Sequence, residues 1–153
     1  MESLFKAWKT SRKIYLNFFD DYSLDQLNKI PGGFNNNLIW NIGHVIVAQQ
    51  SIIYKGSNLP MYISEDLLIQ YRPGTKPSGP VSESEAEQLK ELLIDLVSKT
   101  EADFQKGIFA AVSYNERTVV TGFHLASIED AFEFNNYHEG LHLGYMMSLK
   151  KFV

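Results

Sequence analysis

The chain contains no cysteine. Disulfides, thiolate-ligated zinc and a cysteine nucleophile are thereby excluded together. Histidine and carboxylate remain as the side chains able to hold a metal or move a proton. Positive charge is scarce as well: 14 Lys and Arg stand against 18 Asp and Glu, for a net charge of −4. The basic residues are scattered and form no stripe to neutralise phosphates, so nucleic acid is not an expected partner. No apolar run approaches the roughly 20 residues of a membrane span. Lys6, Lys9, Arg12 and Lys13 interrupt the first apolar stretch, which lacks the continuous core of a secretory signal. No membrane partner is expected, and residence is expected to be cytoplasmic. Repeats and low-complexity tracts are also lacking.

What is present suits one ordinary globular domain, taken here as residues 1–153. Hydrophobic residues make up 44% and charged residues 21%. A chain of this length buries roughly two-thirds of its unfolded surface and has a real core. Leu4, Phe5, Trp8, Tyr15, Leu16 and Phe19 recur at helical spacing, predicting a first helix that closes at Asp20-Asp21. Ser23 with Gln26 has the form of a capping box opening a short turn, which Pro31-Gly32-Gly33 ends. Asn35, Asn36 and Asn37 offer caps for a second helix running to about Lys55, with Gly56 as a stop signal.

Ser64 to Gln70 has room for one or two helical turns. Tyr71 to Pro80 holds three of the chain's five prolines and two glycines and is predicted to be a loop. Ser82 and Glu85 have capping-box form ahead of a long amphipathic third helix marked by Leu89, Leu92, Leu93, Leu96, Val97 and Phe104. Arg117 to Thr121 carries a short β-branched run expected to be extended. Ser127 caps a fourth helix from Ile128 to about Lys150. Four long helices without a substantial sheet predict an all-α four-helix bundle, an architecture that builds metal sites from side chains on facing helices.

His138 and His142, at a spacing of four, share a helix face about one turn or ~6 Å apart and can reach one ion. On that helix Ile128, Ala131, Phe132, Asn135, His138, Glu139, His142, Tyr145, Met146 and Leu149 fall on one side, so both imidazoles point inward. His44 lies on the second helix. Antiparallel packing of the two helices gives three nitrogen ligands with open positions for water or substrate, the layout of a reactive metal centre. The alternative, a hydrogen-bonded polar cluster, leaves three partly desolvated imidazoles each needing separate partners. His124 sits in the connection before the fourth helix and is expected to be structural or solvent-facing.

Two roles are open to Glu139: holding an imidazole or acting as a base on the one hand, an inter-helix ion pair or hydrogen bond on the other. Asn135 is expected to orient a ligand or a bound water, and Trp40, Asn41, Asn135 and Tyr145 to form a mixed apolar and polar pocket around the ion. Gly140 and Gly144 hint at close approach of another backbone. On the second helix Ile39, Ile42, Ile46 and Ile53 lie opposite His44, and this second apolar face predicts a homodimer.

His138-Glu139 and His142 also satisfy the H-E-x-x-H pattern of zinc proteases. The 11 residues after His142 contain no Glu, Asp or His, and Tyr145 stands where a metzincin has glycine. The protease reading therefore lacks its third ligand.

Phe34-Asn-Asn-Asn-Leu-Ile-Trp40-Asn-Ile-Gly-His44, the loop Tyr71-Arg-Pro-Gly-Thr-Lys-Pro77 and Tyr137-His138-Glu139-Gly-Leu-His142-Leu-Gly-Tyr-Met146 resemble, in order and spacing, the DinB-like superfamily. The resemblance implies an up-down-down-up four-helix bundle, often dimeric, with a divalent ion such as nickel or zinc on His44, His138 and His142. It implies a metal-dependent transferase using a low-molecular-weight thiol such as bacillithiol, mycothiol or glutathione, with maleylpyruvate isomerases and hydrolase-like proteins as relatives. Such a site activates a bound water or a cofactor thiol, with Glu139 as a candidate proton acceptor. The alternative is a non-catalytic module that binds a metal or small ligand.

Overall fold

The structure, a computed structural model, describes residues 1–153. Helix α1 spans Glu2–Asp21 and buries Phe5, Trp8, Arg12, Tyr15 and Phe18, a stripe at three- and four-residue intervals. The short α2, Leu24–Asn28, opens with the expected reciprocal capping box of Ser23 and Gln26. Helix α3 spans Leu38–Gln49, and the Asn37 side chain caps it by accepting from the Trp40 amide at 2.8 Å. After the seven-residue α4, Glu65–Tyr71, the long α5 covers Glu83–Gln105. A minimal hairpin pairs β1, Arg117–Thr118, with β2, His124–Leu125, before α6 closes the bundle over Ile128–Leu149.

Three local departures from the expected elements have physical causes. Helix α3 does not stop at Lys55 but widens into a π turn over Gln50–Tyr54 and tightens into a 3-10 turn over Lys55–Ser57. Its left-handed stop is Asn58, at φ 56°, a conformation Asn tolerates. Gly56 serves packing instead: a Cβ there would lie 2.7 Å from the Tyr114 ring, whose hydroxyl donates to the Ile52 carbonyl inside the π turn. Ser82 does cap α5, yet the Glu85 side chain does not return the bond. It accepts from Gln70 and from Tyr71 Oη, tying α5 to α4.

Cross-helix pairs give the directions. Phe5 packs on Phe132, Arg12 pairs with Glu139, and Asn136 donates to the Leu4 carbonyl, so α1 and α6 run parallel. Asn41 meets His142 and His44 meets His138, so α3 and α6 run antiparallel. Gln49 donates to the Leu96 carbonyl and Tyr54 to Asp103, so α3 and α5 are parallel. The bundle is therefore up-down-down-up, with α1 and α3 each packed on both α5 and α6. Two parallel neighbours in sequence need a crossover. Residues 58–82 supply it, carrying α4 and the proline-rich loop across α3.

Helix α3 is buried along its whole length. Ile39, Ile42, Ile46 and Ile53 are covered within the same chain, so this stripe gives no ground for a partner subunit. The outer face of α6 is solvated: Glu133, Tyr137, Gly140, Gly144 and Ser148 are exposed. A methyl group added at Gly140 or Gly144 would meet nothing within 4 Å, so these glycines mark no close backbone approach. No helix is long and apolar enough to cross a membrane.

Candidate metal centre

His44, His138 and His142 come together across the α3–α6 contact, their candidate ligand nitrogens all within 4.8 Å of one another. Hydrogen bonds set the tautomers of His44 and His142. His44 Nδ1 lies 2.7 Å from the Tyr71 carbonyl, an acceptor only, so this nitrogen carries the proton and Nε2 keeps its lone pair. His142 Nδ1 faces Asn41 Oδ1 at 2.8 Å. The Asn41 amide nitrogen is committed to Asn36 and to the Asn37 carbonyl, which fixes Oδ1 as the atom turned to His142. His44 Nε2 stands 3.3 Å from His138 Nε2.

Burial holds all three rings below the ordinary histidine value. His44 is lowered by desolvation, which outweighs its bond to Tyr71. Desolvation, then the nearby His44 and Arg12, bring His138 to about 4. Desolvation, then His138 and His44, bring His142 to about 3. The rings are thus neutral at neutral pH; bonds at Nδ1 leave the Nε2 lone pairs of His44 and His142 free, while His138 Nδ1 is buried without a hydrogen-bond partner. The donor set fits a divalent cation, for which neutral imidazole is a suitable ligand.

The surrounding packing aims these rings. Trp40 stacks on His44 at 4.9 Å and 9°, fixing its plane. Gly43 lies under the Tyr71 ring, and any Cβ at position 43 would overlap it. The glycine lets the end of α4 settle on α3, bringing the Tyr71 carbonyl to His44. Asn41 plays the equivalent part for His142. Such partners orient a ligand ring and raise its basicity.

Of the four pocket residues expected from sequence, Trp40, Asn41 and Tyr145 lie beside the histidines. Tyr145 and Asn41 line a cavity of about 550 Å³ that reaches His142, and Tyr145 Oη donates to Asn36. Asn135 does not join them; its amide donates to Glu139 at 3.0 Å inside the core. Glu139 also turns away from the cluster. It is fully buried and forms a two-pronged ion pair with Arg12, Nε to Oε2 at 2.8 Å and Nη2 to Oε1 at 2.7 Å. Trp8 Nε1 donates to Oε1 as well, at 2.6 Å. Of the two roles open to it, the geometry is that of the inter-helix ion pair, and a carboxylate held by Arg12, Trp8 and Asn135 is poorly placed to accept a substrate proton. His124 is exposed and pairs with Glu116 at 2.9 Å.

Arg12 is the residue sequence reasoning missed. It sits on the buried stripe of α1, between Trp8 and Tyr15, and that placement was the available signal: a charge on an apolar stripe demands an inward counter-ion. A second cavity, of about 480 Å³, opens on His44 and His138 and is walled by α3, α4 and the β-hairpin. Its residues come from four separate segments, α6 included, and were not grouped by any sequence pattern.

A comparison with curated proteins finds no match. A family model does match, over residues 7–146, a span that includes all three histidines and the elements that aim them. The chain belongs to the DinB superfamily.

Proposed function

We propose that the chain is a metal-dependent enzyme acting on a small molecule, a transferase that uses a low-molecular-weight thiol such as bacillithiol, or else a hydrolase. His44, His138 and His142 would hold the ion, nickel or zinc. One observation carries the reading: three neutral imidazoles bring candidate ligand nitrogens within 4.8 Å of one another between two cavities large enough for a small molecule. A divalent ion there supplies Lewis acidity, which favours the deprotonated, attacking form of water or of a thiol at neutral pH. The chain's own residues do the positioning. Tyr71 and Asn41 hold two rings in the ligating tautomer, and Trp40 fixes the plane of His44. With no cysteine in the chain, the reacting sulfur belongs to the substrate and no protein thiol competes for the site.

The test is consumption of a thiol by purified, metal-replete protein in the presence of an electrophile such as monochlorobimane, with glutathione and bacillithiol supplied separately. The expected result is turnover above the uncatalysed rate that disappears when the metal is chelated. Stoichiometric metal with neither thiol consumption nor ester hydrolysis would instead make the chain a non-catalytic metal or small-ligand binding module.

A further inference from the structure

The cavity on His44 and His138 concentrates positive charge in a chain that is acidic overall. Lys55, Arg72 and Arg117 all line it, against one carboxylate, Glu65. None of the three cations has a carboxylate partner; the ion pairs of the chain are Lys9–Glu101, Arg12–Glu139, Lys90–Asp20 and His124–Glu116. Arg117 makes a long bond, 3.4 Å, to the Ser51 carbonyl and lies near the Tyr114 hydroxyl. Lys55 stands at the end of the π turn, Arg72 at the C-terminal end of α4 and Arg117 on β1, so the three approach from separate elements. Ala48, Ile52, Leu68, Val119 and Phe134 supply apolar wall between them and the histidines. The cavity at His142 offers a contrast, because its polar lining is Asn35, Asn36, Asn41, Tyr145 and His142, with no Lys or Arg.

We propose that this cavity recognises the acidic end of the substrate: the ligand is a small organic anion whose carboxylate sits among Lys55, Arg72 and Arg117 while its reacting group points to His44 and His138. Guanidinium forks match carboxylate geometry and form strong, charge-assisted bonds. A carboxylate fits better than a phosphate, because the helices that flank Lys55 and Arg72 present their C-terminal ends, which offer none of the free backbone amides that cradle phosphate oxygens. The identity of the reacting group rests on the metal-site reading above; the charge recognition does not. Among thiols, the inference selects those bearing a free carboxylate.

The experiment is calorimetric titration of the metal-replete protein with four probes: mercaptosuccinate, 2-mercaptoethanol, succinate and inorganic phosphate. Mercaptosuccinate is expected to bind at least about tenfold more tightly than 2-mercaptoethanol, the scale of one charge-assisted bond. In the double variant Arg72→Gln with Arg117→Gln, both exposed positions, that advantage is expected to vanish while metal content and 2-mercaptoethanol binding persist. Lys55→Gln alone, and a rise in salt from about 50 to about 500 mM, are expected to weaken mercaptosuccinate selectively. Succinate separates the two readings: if it binds wild type but not the double variant while neither thiol gains from its sulfur, the anion site stands and the thiol reading fails. Equal affinity for mercaptosuccinate and 2-mercaptoethanol, an advantage untouched by the double variant, or phosphate binding more tightly than succinate would overturn the inference.

Discussion

The backbone carbonyl of Tyr71 reaches across from α4 to accept the Nδ1 proton of His44 at 2.7 Å. That single bond decides which nitrogen of His44 faces the other two histidines, and it exists because residue 43 is glycine. Gly43→Ala would drive a methyl into the Tyr71 ring. The variant is expected to lose about 1–3 kcal/mol of stability, as overpacked cores do, and to bind metal more weakly. Gly140→Ala is the matched control: the position is open and exposed, and helix propensity favours Ala by up to about 1 kcal/mol. Chemical denaturation and metal titration of both variants check the pair. Equal behaviour would remove the link between α4 and the site.

Asn41 is the corresponding support for His142. Replacing its acceptor in Asn41→Leu is expected to lower metal affinity by about 10–100-fold while leaving the helices formed. Metal titration alongside circular dichroism reads both. Unchanged affinity would mean that His142 needs no fixed tautomer.

Arg12 and Glu139 form the buried ion pair between α1 and α6. Their polar layer, with Gln49 bonded to Arg12 and Thr100, separates two apolar clusters of the core. Breaking one side should be costly because the other charge stays buried. Glu139→Gln and Arg12→Met are each expected to lose about 3–5 kcal/mol, and Arg12→Met combined with Glu139→Met to recover much of it. Glu139→Gln is expected to keep its metal. A Glu139→Gln protein of unchanged melting temperature that has lost turnover would return the carboxylate to the role of proton acceptor.

Acid should release the ion, because each imidazole must be neutral to ligate. Burial lowers the three rings, His138 to about 4 and His142 to about 3, so release is expected well below the ordinary histidine value. In the metal-free chain the same shifts set the sign of stability. The unfolded histidines titrate near 6.5 and take up protons first, so stability present above about pH 6.5 is lost as pH falls towards 4. Metal content and melting temperature of samples between about pH 7.5 and about pH 2.5 test both statements. Full occupancy at about pH 2.5, below the values of both His138 and His142, would argue against histidine ligation.

The long helices and the inward face of α6 were legible because each follows from residue spacing within one segment. His44 could be added because α3 must pack somewhere, and its neighbours Trp40 and Asn41 came with it. Glu139 and Asn135 were harder: both lie on the buried side of α6, and only the position of Arg12 on α1 decides that they turn towards that helix. The burial of the isoleucine stripe within the chain was hidden for a related reason, since a helix packed on α5 and α6 and crossed by α4 has no face left for solvent. The π turn, the seat of Tyr71 on Gly43 and the three cations at the second cavity depend on contacts between distant segments, which no local period encodes.

The most direct test is elemental analysis of the purified wild-type protein and of His142→Ala after identical preparation, with circular dichroism on both. The expected result is about one divalent ion per chain in the wild type and almost none in the variant, on a helical bundle that remains folded. Equal metal content in the two proteins, or a wild type that takes up no divalent ion when it is supplied, would contradict the three-histidine centre.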